Sequence, residues 1–296
     1  MAEMVLVATD GGPGSTAALN WVVERGLHAD LNVQLVTVEE TDWLPLGADE
    51  PAYRRKYVDE LRAGENRVAG QPGISVLDTM LLRGETDEAL ASASRFADLL
   101  VVASRHVGPM RAALHNSIAL QLARHVHCTL IAVPLEWRPG TGHVVVGVDA
   151  DGSSDAAVDF GAREAQRCGL ALELLHTWSL PKPFAVTGAV RPGRFPHLET
   201  VHGEYLDRAV SRARAIAPVL TITTTLEAGD TGETLVRAAQ SASMVVVGTH
   251  RRGVVRSFAL GSISQRVIAA AKCATAVVRP DVVHPSPAAE LASSIA

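Results

Sequence analysis

Val144-Val145-Val146-Gly147-Val148-Asp149-Ala150-Asp151-Gly152-Ser153-Ser154 is an apolar strand running into an acidic, glycine- and serine-rich turn. The same phrase opens the chain, as Met4-Val5-Leu6-Val7-Ala8-Thr9-Asp10-Gly11-Gly12-Pro13-Gly14-Ser15. Both copies also close alike. Leu99-Leu100-Val101-Val102-Ala103-Ser104 in the first answers Met244-Val245-Val246-Val247-Gly248-Thr249 in the second, and each is followed by a serine, a short helical stretch, a cysteine and a last apolar strand. The offset between equivalents is 139 from Asp10 to Asp149 and 145 from Cys128 to Cys273, so six extra residues lie between these landmarks in copy two. A repeat of this length is a whole domain and not a solenoid unit, with enough strands and helices to bury a core of its own.

Strand and helix patterns alternate through both copies. In copy one the strands are 5–8, 33–38, 75–82, 99–102 and 129–133, with helices at 15–27, 53–68, 87–96 and 117–125. In copy two the strands are 144–148, 171–177, 221–227, 244–247 and 275–278, with helices at 154–168, 205–216, 233–242 and 262–271. Such alternation requires a parallel sheet with helices on both faces, and near-continuous apolar runs such as Leu99 to Val102 suit strands covered on both sides. The fold class is α/β: two tandem doubly wound domains, each with a five-stranded, mainly parallel sheet. The domains are expected at 1–138 and 143–280, joined by the Pro- and Gly-containing stretch 136–142. Two segments without pattern, 40–52 and 179–200, each follow a second strand and read as a surface connection or a lid. The tail from His284 to Ala296 reads as mobile.

Composition narrows the function classes. The chain is 47% apolar and 20% charged with a net charge of -5 and no long basic run, which gives no footprint for nucleic acid. No apolar run reaches membrane-span length and no secretion signal precedes the first strand, so a cytoplasmic protein without a membrane partner is expected. The 3 cysteines argue against a disulfide framework, and Cys128 and Cys273, in equivalent places, read as small buried apolar residues. His125, His127 and Cys128 lack the further convergent ligands that a metal site needs. The amphipathic stretch 53–68 is ordinary for a helix lying on a sheet.

In an open parallel sheet ligands bind beyond the carboxyl ends of the strands where strand order reverses, which joins the loop after the first strand to the loop after the fourth. In copy two these loops carry Asp149 and the run Gly248-Thr249-His250-Arg251-Arg252-Gly253, followed later by Gly261-Ser262-Ile263-Ser264. A glycine allowing close backbone approach, a helix start with free N–H groups, serine hydroxyls and nearby cations make the outline of an anion site. The same glycine and serine are also ordinary punctuation at a strand end and a helix start, and an aspartate after a strand caps turns.

These residues resemble the universal stress protein family in its tandem, two-domain actinobacterial form. The likeness rests on Val144 to Asp149, on Gly261 to Ser264 and on the loop between, and covers nearly the whole chain. Nucleotide-binding members carry Gly-x2-Gly-x9-Gly-Ser/Thr after the fourth strand. Gly248, Gly261 and Ser262 keep that spacing, whereas Arg251 stands at the middle glycine, exchanging conformational freedom for a guanidinium that can pair with phosphate.

The resemblance implies an adenine-nucleotide α-hydrolase-like fold that binds ATP, with or without Mg. Asp149, Thr177 and Val247 would meet the base and ribose, and Gly248, His250, Arg251, Gly261, Ser262, Ile263 and Ser264 the ribose and phosphates. Copy one has Ala103, His106, Asn116 and Ser117 at the motif positions, so only Asp10 and Ser117 remain, as weak candidates. The resemblance further implies that the last strands pair across the repeat as an intramolecular pseudo-dimer, with homodimerisation of whole chains beyond it. The expected function is a regulator or sensor in a stress or dormancy response, not an efficient enzyme, with slow ATP hydrolysis left open. Alternatives are a nucleotide-independent interaction protein and an ATP-cleaving ligase or hydrolase, the last of which would need a further domain.

Overall fold

The computed structural model of the chain describes residues 2–40, 50–104, 117–179, 195–249 and 260–280. Copy one runs β1 (Glu3–Ala8), α1 (Pro13–Gly26), β2 (Leu31–Glu39), α2 (Glu50–Val68), β3 (Ile74–Arg83), α3 (Thr86–Ala93), β4 (Leu99–Ser104), α4 (Ile118–His125) and β5 (Thr129–Pro134). Copy two repeats it with β6 (Val144–Gly147), α5 (Asp155–Cys168), β7 (Leu172–Trp178), α6 (Pro196–Ile216), β8 (Ile222–Ala228), α7 (Thr231–Ala238), β9 (Met244–Gly248), α8 (Ser262–Ala270) and β10 (Ala274–Val278). The tail from 281 onward lies outside the described residues, as does most of each patternless segment.

Several helix boundaries differ from those read in the sequence, for local reasons. Helix α1 starts before Ser15 because Pro13 sits in its first turn, where a missing N–H breaks no intrahelical bond. Pro196 does the same for α6, so residues 196–200, read as irregular, are helical and the helix begins nine residues before 205. The stretch 94–96 is a separate 3-10 turn and not the end of α3. Helix α5 ends where Gly169 takes a φ of 65°, a left-handed conformation that favours glycine.

The strands form one ten-stranded sheet in the order β3-β2-β1-β4-β5-β10-β9-β6-β7-β8. Every neighbouring pair is parallel except β5 and β10, which meet antiparallel at the centre. In that seam Ala276 faces Ile131, its own equivalent at an offset of 145, with Thr275 opposite Ala132 and Val277 opposite Leu130. The order is a palindrome about this pair, so a pseudo-twofold axis runs through it. The final strands of both copies are thereby removed from any open edge.

Burial divides the core by face of the sheet and not by copy. Alternate side chains send Leu99, Val101, Ile131 and Val133 to one side, beneath α1, α2, α5 and α6. Leu100, Val102, Leu130 and Ala132 go to the other, beneath α3, α4, α7 and α8. Each cluster continues through the seam into copy two. The expectation of one core per copy is corrected: since β5 and β10 share a sheet, the apolar layers above and below it have no reason to stop at the repeat boundary. Each fully buried leucine or isoleucine contributes about 1.5–3 kcal/mol.

Candidate functional site

Strand order reverses at β6, between β7 and β9, and the carboxyl ends of β6 and β9 bound a cavity of about 100 Å³. Its walls include Asp149, Val247, Gly248, Gly261, Ser262, Ile263 and Ser264 from the sequence motif, with Ser153, Ser154, Thr231 and Leu235 beside them. Thr177 does not line it; its hydroxyl is hydrogen-bonded to that of Thr231, which does. His250 and Arg251 lie outside the described residues.

Each wall has a local cause. A Cβ on Gly248 would lie 3.0 Å from the Ser153 carbonyl oxygen and 3.5 Å from the Ser154 Cα, so glycine lets the end of β9 press against the turn after β6. Gly261 is the N-cap of α8 at φ -65° and ψ 155°, a conformation open to any residue, and no side chain caps this helix. Among the described residues its first-turn N–H groups have no capping side chain, and the positive end of the helix faces the cavity. The buried Ser264 hydroxyl donates to the Gly248 carbonyl at 3.4 Å, which ties α8 to β9. The Asp149 carboxylate accepts from the Ala150 N–H at 2.6 Å, and the Asp149 N–H donates to Ser154 Oγ at 2.9 Å. Asp149 thus caps its own turn while lining the cavity.

Copy one has the equivalent cavity, and it is larger, about 320 Å³. Asp10, Ser15, Thr86, Leu90, Val102, Ala103 and Ile118 line it at places matching Asp149, Ser154, Thr231, Leu235, Val247, Gly248 and Ile263. The Asp10 carboxylate accepts from the Gly12 N–H at 2.9 Å and from Ser15 Oγ at 2.6 Å. Ser117 is the N-cap of α4, makes no side-chain cap and does not line the cavity. Asn116 and His106 lie outside the described residues. Near the Asp10 turn, burial pushes the Glu60 carboxyl above its ordinary range, opposed by Lys56 and reinforced by Asp10.

Two pairs escaped the motif: Ser15 with Ser154, and Thr86 with Thr231. Both were visible as identical residues at the repeat offset. Behind the copy-two cavity His176 Nδ1 lies 2.7 Å from the Val148 carbonyl oxygen, so it carries the proton and donates. His176 Nε2 then accepts from His202 Nδ1 at 2.8 Å, and the His202 ring is stacked with those of His176 and Trp178. Burial holds the imidazolium form of His202 down, with His176 adding to it. Burial also pushes the thiols of Cys128 and Cys273 up to about 12. Among the described residues no group of three or more His, Cys, Asp or Glu side chains is placed to hold a metal ion. No described helix is long and apolar enough to cross a membrane.

Comparison with known proteins gives a consistent result. The universal stress protein family matches residues 1–134 and again 140–279. A universal stress protein of Mycobacterium tuberculosis is 26% identical over 299 aligned residues, covering 93% of this chain and 94% of its own. A second from the same organism is 24% identical over 290, covering 93% and 96%. The crystal structure of a universal stress protein from Archaeoglobus fulgidus superposes with a TM-score of 0.67 at 15% identity, covering 94% of this chain and 96% of that one.

Proposed function

Because the chain belongs to the universal stress protein family, we propose that it binds ATP, chiefly through copy two, and acts as a regulatory or sensor protein in a stress or dormancy response. The observation that carries this reading is the convergence of Asp149 and the uncapped start of α8 on one cavity floored by Gly248. The donor chemistry fits such a ligand. A carboxylate on one wall accepts from ribose hydroxyls or an amino group, and a helix N-terminus with the Ser262 hydroxyl beside it favours phosphate. The chain acts as a binding protein and not as an efficient enzyme.

Copy one supports a different role. Where copy two has Gly248 it has Ala103, whose Cβ takes up the space left by Gly14. That arrangement favours packing and assembly over close approach to phosphate, so copy one is proposed as the weaker ligand site.

Isothermal titration with ATP tests the reading. The expected stoichiometry is nearer one than two per chain, and mass spectrometry of ligand released by heat from the purified protein should give an adenine nucleotide. Two equivalent sites, or tight binding that survives Gly261→Asp in a folded chain, would overturn it.

A further inference from the structure

Across the seam, α1 and α5 bring Arg25 and Glu164 together, with Arg25 Nη1 at 2.5 Å from Glu164 Oε1. These are equivalent positions of the repeat, at the same offset of 139 that relates Asp10 to Asp149. In a symmetric pair of identical domains a residue so close to the twofold would meet its own copy. Here the two copies carry opposite charges at that place.

Two further residues close a ring. Arg25 Nε lies 2.8 Å from Glu3 Oε2, Arg167 Nη1 lies 3.1 Å from Glu164 Oε2, and the same Arg167 nitrogen lies 3.7 Å from Glu3 Oε2. Copy one supplies Glu3 and Arg25, copy two Glu164 and Arg167. Charges alternate around the ring and sum to zero. The side chains of Arg25 and Glu164 are only 2% and 6% exposed, and the Arg25 guanidinium also lies 5.2 Å from the Trp21 ring centre. Burial alone disfavours the charged form of both central groups. The facing carboxylates of Glu164 and Glu3 outweigh it for Arg25, whose pKa is raised, and Arg25 outweighs it for Glu164, whose pKa is lowered.

A buried ion pair is close to neutral for stability against an apolar pair of similar volume, but an unpaired buried charge is severely penalised. Its effect is therefore on which surfaces are allowed to meet. Copy one against another copy one would set Arg25 against Arg25, and copy two against copy two would set Glu164 against Glu164. Only unlike copies complete the ring.

We propose that Arg25 and Glu164 are a pairing code at the pseudo-twofold: the seam face of copy one fits copy two and rejects a second copy one, and the converse holds for copy two. A chain with two like-pairing faces could link to neighbours without end. The code removes that route and leaves the linker to bring the two correct faces together at high effective concentration.

The test uses full-length chains. Glu164→Arg places arginine at both equivalent positions, and Arg25→Glu places glutamate at both. Each variant is refolded alone, and the two are refolded together, with the parent as reference. Alone, each should unfold at a lower denaturant concentration than the parent. Together, they should form a one-to-one complex in more than tenfold excess over either variant's self-association, because one seam regains the parental ring and the other sets two cations against two anions. Light scattering would give the combined mass of the two chains, and intact mass spectrometry both components. The proposal is overturned if the mixture contains only the species each variant forms alone, or if both variants keep the parent's unfolding midpoint. A variant that does not fold by itself leaves the mixed arm decisive.

Discussion

Ala103 and Gly14 are matched to each other: a Cβ added to Gly14 would lie 2.6 Å from the Cβ of Ala103. In copy two the bulk is transposed, with glycine at 248 and serine at 153. Glycine thus stands on the turn side in copy one and on the strand side in copy two.

Gly14→Ser should therefore destabilise copy one by about 1–3 kcal/mol, the range for forcing extra atoms into a packed site. Adding Ala103→Gly to the same chain should recover most of the loss. Urea denaturation of the parent, the single and the double variant measures both; equal midpoints for single and double would refute the pairing.

Gly261→Asp should separate stability from binding. At φ -65° and ψ 155° aspartate is a favoured N-cap, so α8 should gain a few tenths of a kcal/mol. The same carboxylate would occupy the first-turn N–H groups and repel phosphate, so ATP affinity should fall at least tenfold. A raised melting temperature with lost calorimetric binding is the expected pair of results.

Acid should weaken the fold through His202. Its folded pKa lies below the ordinary 6.5 because burial, and then His176, disfavour the charged ring. The unfolded chain accordingly takes up the proton first, so stability is full above 6.5 and is lost as the pH falls below it towards the folded value. His127, lowered by burial and then by Arg95 and Arg279, acts in the same direction. Denaturation midpoints across this window should decline in the parent and decline less steeply in His202→Gln.

The thiols should be slow to react in the native chain. Burial pushes Cys128, Cys168 and Cys273 each up to about 12. At pH 8 such a thiol is ionised on the order of one part in ten thousand. Mass-mapped alkylation should find little labelling before unfolding, with the half-buried Cys168 first.

The doubly wound order was legible in Met4 to Ser15 and Val144 to Ser154 because long apolar runs ending in glycine and serine leave few alternatives. Gly248 and Gly261 to Ser264 were legible through the spacing of a motif that the family resemblance supplied, and Asp149 through its place after the first strand of copy two. Ser154 and Thr231 were not, since a lone hydroxyl has no motif and only the repeat offset marks it. The start of α6 was hidden by Pro196, because a proline begins a helix only when the residues after it can continue one. The ring of Glu3, Arg25, Glu164 and Arg167 was least legible, as each residue alone reads as a solvated surface charge and only the seam brings the four together.

Because β5 and β10 run in opposite senses, the strands of one half point their carboxyl ends at one rim of the slab and those of the other half at the opposite rim. The two clefts are back-to-back doorways. Anything bound at one would therefore face away from the other.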